Sequence, residues 1–164
     1  YATIGGGYFN TTETNANYAT IPGGLEAKAS LHAQKAHAAG KFAANGDAQT
    51  SVYVLRNSTT DDTEAPLFLD GVSKRLTILY KQVMRFAILI AATTSGGERI
   101  AGYQIRGTIQ NYDPGYLLIV GTPAVTTNGA DAGAAGWNVR VLDNDSENAL
   151  DILVTGAAAD TVRQ

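Results

Sequence analysis

Tyr1-Ala2-Thr3-Ile4-Gly5-Gly6-Gly7 recurs as Tyr18-Ala19-Thr20-Ile21-Pro22-Gly23-Gly24, 17 residues further on. A fainter third copy follows, with Ala36 in register with Ala19 and Gly40 with Gly23. A fixed period of this length means stacked units, each too small to bury its own face. The unit here is a short strand followed by a glycine turn, where glycine allows positive φ and close backbone approach. These units hold few large apolar side chains: Ile4, Phe9, Ile21, Leu25 and a few tyrosines. A single copy would be marginal. Three chains around a threefold axis, each supplying Ile4 and Ile21, would provide the missing interior. A flexible Gly/Ala linker is the rival, but linkers do not keep such a motif in register. Leu25 to Ala39 is alanine-rich and could form a short helix or turn, with too little apolar bulk for a core-facing stripe.

From about Thr50 the pattern changes. Ser51 to Arg56 is a β-branched and aromatic run. Asp70-Gly71 is a turn signal between Leu67-Phe68-Leu69 and Leu76 to Tyr80. Met84 to Thr94 is an apolar strand closed by Ser95-Gly96-Gly97-Glu98. Arg99 to Gln110 alternates: Ala101, Tyr103, Ile105 and Ile109 on one face, Gln104, Arg106, Thr108 and Gln110 on the other. That is the period of a strand with one buried side. Tyr116 to Val120, Trp137 to Leu142 and Leu150 to Thr155 are further strands, the last two joined by the polar turn Asp143 to Asn148. The spacing predicts an antiparallel β-sandwich or barrel over residues 48–164, preceded by a trimeric β-roll-like repeat shaft over residues 1–47.

Composition narrows the function. The chain has 164 residues, a net charge of −3 and a pI of about 5.2, with no basic stripe for a phosphate backbone, so nucleic acid is not an expected partner. It has no cysteine, which excludes disulfides and thiolate metal sites. The longest apolar run, Phe86 to Ala92, is too short to span a bilayer, and no membrane insertion is expected. The chain opens inside a repeat and reads as a piece of something longer.

Tyr1 to Gly24 resembles the glycine-turn repeats in the heads of trimeric autotransporter adhesins and in phage fibre proteins. Lys41 to Arg56 resembles a segment that often follows such repeats in phage tail fibres, where it leads into a β-rich C-terminal domain. Leu67-Phe68-Leu69-Asp70-Gly71 and the strands Trp137 to Val141 and Leu150 to Gly156 match features of that domain. Its usual further apolar strand would be missing or shortened here, because the chain ends at Thr161-Val162-Arg163-Gln164. The resemblance implies a homotrimer on a virion, attached to other tail proteins, that adheres to a bacterial surface polysaccharide at or near its tip. A capsule-depolymerising tailspike fragment, a purely structural trimerisation module and a bacterial surface adhesin are the alternatives.

The binding candidates are Asn111, Tyr112, Asp113 and Tyr116, around the turn Asp113-Pro114-Gly115. Aromatic faces stack on sugar rings and polar groups pair with hydroxyls; the competing reading packs the tyrosines on the sides of a hairpin. Thr126 to Gly136 reads as a long flexible loop, a frequent place for recognition. His32 and His37 could gather on a threefold axis as metal or anion ligands, but read better as solvated or stacked side chains. Asp143, Asp145 and Glu147 alternate like calcium ligands but lack the central glycine, and read as a solvated turn. Trp137 opens an alternating strand and reads as core rather than as a sugar platform. There is no nucleophile elbow, zinc-protease motif or phosphate loop, so neither enzyme activity nor a metal or other cofactor is expected.

Overall fold

A computed structural model describes residues 1–113, 115–158 and 160–164. The chain is all-β, 51% strand and 2% helix, which bears out the expected class. It divides into two compact units, Tyr1–Leu55 and Arg56–Gln164.

In the first unit the repeat becomes a coil of parallel turns. β1 (Thr3–Ile4) lies beside β3 (Thr20–Ile21), with Thr3 opposite Thr20 and Ile4 opposite Ile21. β2 (Thr11–Thr12) lies in the same way beside β4 (Lys28–Ala29), and Tyr8 bridges to Leu25. The 17-residue period is therefore one turn of the coil. β5 (Lys35–Ala38) adds a third turn, but pairs Thr20 with Lys35, while Leu25 bridges to Ala39. This turn is shorter, so Ala36 falls level with Ile21 and not with Ala19. β6 (Gln49–Val52) pairs antiparallel with β5. No helix forms between Leu25 and Ala39; both regular segments there are strands.

The interior of this coil consists of Ala16, Ala19, Ile21, Ala27, Ala29, Ala36 and Ala38. Alanines let the strands approach closely, so one isoleucine fills the space. This corrects the axial expectation for Ile21: it is 0% exposed, enclosed by its own chain, while Ile4 is 44% exposed. Side-chain amides complete the backbone pairing where turns change length. The Gln49 amide accepts from Lys28 N (2.9 Å) and donates to Lys28 O (2.9 Å), as a neighbouring strand would. Gln34, fully buried, accepts from Ser30 N and Leu31 N and donates to Ser51 Oγ.

The second unit contains β7 (Ser58–Thr59), β8 (Glu64–Pro66), β9 (Leu76–Thr77), β10 (Gln82–Thr94), β11 (Ile100–Asp113), β12 (Tyr116–Ile119), β13 (Ala124–Ala130), β14 (Asn138–Asn144), β15 (Ala149–Thr155) and β16 (Val162–Arg163). One sheet runs β12-β11-β10-β16-β7, with β13 also on β11; another runs β14-β15-β8, with β9 also on β15. The long β10–β11 hairpin carries the alternation predicted for Arg99 to Gln110: Ala101, Tyr103, Ile105 and Ile109 are buried, as are Phe86 and Ile90 on β10. Val139, Val141, Ala149, Leu150, Ile152 and Val154 are the buried set of the β14–β15 hairpin. Trp137 is buried core as expected, and the Tyr103 hydroxyl donates to its carbonyl at 3.2 Å.

Two local expectations are corrected. Asp70-Gly71 turns the chain as expected, with Leu69 N donating to Lys74 O at 2.7 Å, but it does not pair β8 with β9, because both pair with β15. The Asp70 carboxylate instead accepts from the backbone N–H of Val72 (2.9 Å), Ser73 (2.8 Å) and Lys74 (2.9 Å) and organises a wider loop. Thr126 to Gly136 is not a loop throughout: β13 pairs with β11, and a 3-10 turn over Ala132–Ala134 follows, capped by Asp131.

Asp70 and Asp47 should make the fold acid-sensitive. Backbone N–H bonds hold both carboxyls below their ordinary pKa of 3.8. A folded-state pKa below the unfolded one stabilises above the unfolded value, and that stabilisation is lost as pH falls toward the folded value. Thermal melts should be flat from neutral pH to about 5 and drop progressively below about 4. An Asp70→Asn variant melting lower at neutral pH, with a shallower acid drop, would assign part of the effect to this loop.

Candidate functional site

Tyr112 is the next-to-last residue of β11 and Tyr116 begins β12, across a turn whose Pro114 lies outside the described residues. Asp113 pairs with Tyr116 in register, with a bulge between Asn111 and Asp113. The bulge brings the two rings together, centroids 5.2 Å apart and tilted by 64°. Both are half exposed. Partial desolvation, then the neighbouring Tyr116 and the Asp113 and Asp145 carboxylates, push the Tyr112 phenol above its ordinary pKa. Its hydroxyl is therefore neutral near pH 7, able to donate and accept.

Asn111 does not join this exposed set. It is 2% exposed, and its amide nitrogen donates to Ile78 O (2.8 Å) and to Asn148 Oδ1 (3.3 Å). It ties the start of the turn to the β14–β15 hairpin, a structural task. The alternation of β11 contains the signal, since Asn111 shares parity with buried Ile105 and Ile109.

The structure also brings in residues that local sequence does not connect to the turn. Asn148, with φ at 51°, accepts from Gly115 N at 3.3 Å. Asp145 accepts from Leu117 N at 2.7 Å, and Asp143 from Ile119 N at 3.3 Å. These carboxylates satisfy the open edge of β12. Among the described residues, no three His, Cys, Asp or Glu side chains gather in a metal-binding arrangement. His32 lies edge-on to Tyr18, with centroids 5.4 Å apart, and His37 Nδ1 is 3.3 Å from Gly23 O.

The arrangement is a pair of crossed phenol rings and a carboxylate at the end of a hairpin supported by a second hairpin. It offers exposed stacking faces and hydroxyl-pairing groups. No family model, characterised protein or solved structure matches this chain, so function is argued from the residues and their geometry.

Proposed function

We propose that this chain is the tip of a homotrimeric phage tail fibre that adheres to a bacterial surface glycan without bond chemistry. The observation that carries the reading is the Tyr112–Tyr116 pair, half exposed beside Asp113 at the turn between β11 and β12. Rings held at a fixed angle supply apolar contact at low entropic cost. The phenol hydroxyls and the carboxylate pair with sugar hydroxyls around them. The resemblance of Tyr1 to Gly24 and Lys41 to Arg56 to fibre segments supports the virion setting and attachment to other tail proteins. Three such sites on one trimer raise avidity by about 10² to 10⁴ over a single weak contact.

Tyr116→Ala should lower binding to host cells in a pull-down by about tenfold or more, with an unchanged melting temperature. Asn111→Ala should do the reverse first, lowering the melting temperature through two lost hydrogen bonds. Full adhesion by Tyr116→Ala and Tyr112→Ala would remove this turn from recognition. An isolated chain that assembles but binds no host cell would favour the purely structural module.

A further inference from the structure

The corner of the coil where Tyr8 meets Leu25 carries an apolar patch that the described residues leave exposed. Tyr8 and Phe9 are about 60% exposed, their ring centroids 4.1 Å apart. Leu25 lies beside Tyr8 through the parallel bridge. The segment Lys41–Asp47 packs over the same corner. Asn45 Nδ2 donates to Phe9 O (2.6 Å), Gly46 N donates to Glu26 O (3.0 Å), and Lys41 pairs with Glu26 at 2.8 Å. Within it, the Asp47 carboxylate accepts from the backbone N–H of Phe42 (2.8 Å), Ala43 (2.7 Å) and Ala44 (2.8 Å). This ordered segment presents Phe42 at 90% exposure. A loop fixed so thoroughly, around an aromatic ring that touches almost nothing, is organised to insert that ring into something else.

We propose that Tyr8, Phe9, Leu25 and Phe42 form the contact through which one copy of this chain meets the next. The inference rests on the homotrimer reading and names its surface. Three observations select a second copy as occupant. The first unit is electrically balanced: Lys28, Lys35 and Lys41 against Glu13, Glu26 and Asp47. The chain's net charge of −3 therefore belongs to the second unit, and copies that meet through the first bring no net charge together. The charges at the patch itself are already satisfied, Glu26 by Lys41 and Asp47 by three N–H groups. That leaves an apolar centre with a paired rim, the anatomy of a protein contact. The three exposed rings alone offer roughly 400 Å² per chain, about half of what each partner contributes to a standard interface.

The test is light scattering on the full chain over a dilution series, with circular dichroism on the same samples. The wild type should have three times the 17.1 kDa protomer mass. Phe42→Ser should need at least a tenfold higher concentration to reach it, with an unchanged dichroism spectrum, because so exposed a ring contributes almost nothing to its own protomer. Asp47→Ala, which frees the loop, should move assembly in the same direction by less. A wild type of protomer mass at every concentration would overturn the trimer and this contact together. Trimers that persist unchanged in both Phe42→Ser and the Phe9→Ser, Phe42→Ser double variant would overturn the contact and leave the trimer standing. Unchanged trimers with lost cell binding would reassign the patch to a receptor, and would equally overturn it.

Discussion

Ile21→Ala should destabilise the first unit by about 2–5 kcal/mol, enough to unfold most of a coil this small. Ile21 is the one large apolar side chain in a hydrophobic interior otherwise made of alanines, and it is fully enclosed. Removing its outer carbons leaves a void that six alanines cannot fill, since their methyl groups are fixed to the backbone. Ile4, its counterpart one turn earlier, is 44% exposed, and Ile4→Ala should cost about 1 kcal/mol or less. The loss can be assigned to one unit, because the only tryptophan, Trp137, lies in the other. Far-UV dichroism should show an early transition in Ile21→Ala while Trp137 fluorescence melts as in the wild type. Equal losses for Ile4→Ala and Ile21→Ala would contradict a core enclosed within one chain.

Gly24→Ala should be nearly as damaging, at about 2–4 kcal/mol, while its neighbour Gly23→Ala should change stability by about 0.5 kcal/mol or less. Gly24 sits at φ 110°, where an L side chain is strained, and an added Cβ would lie 2.4 Å from Ala38 O. That carbonyl accepts from Leu25 N at 2.9 Å, so relieving the clash separates two turns of the coil. An added Cβ at Gly23 meets nothing within 4 Å. Thermal melts of the two variants side by side would show the difference. A tolerated Gly24→Ala would mean that the turns do not stack at this spacing.

That contrast shows what could be read without coordinates. Tyr-Ala-Thr-Ile at a 17-residue spacing revealed stacked units, because period survives in sequence even when the core does not announce itself. Which of two adjacent glycines carries the turn is set by the neighbouring turn of the coil, and no local signal distinguishes them. The alanine interior was hidden for a related reason. Counting bulky side chains misses a core whose strands come close enough for methyl groups to fill it, and so puts Ile21 on a shared axis. In the second unit the alternation of β11 correctly assigned Ala101, Tyr103, Ile105 and Ile109 to the buried face. Carried two residues further, it would also have placed Asn111 inside. The support that Asn148 and Asp145 give the tyrosine turn comes from more than 25 residues away, which spacing cannot show. Asp70-Gly71 has the composition of a hairpin turn, yet its flanking strands both pair with β15, a choice made by tertiary packing.

Adhesion without chemistry is tested most directly by mixing the purified chain with isolated host surface polysaccharide and following both by size-exclusion chromatography. The account predicts that protein and polysaccharide elute together, and that the polysaccharide recovered afterwards keeps its original length. Shortened polysaccharide, or protein that elutes alone at every ratio, would contradict it.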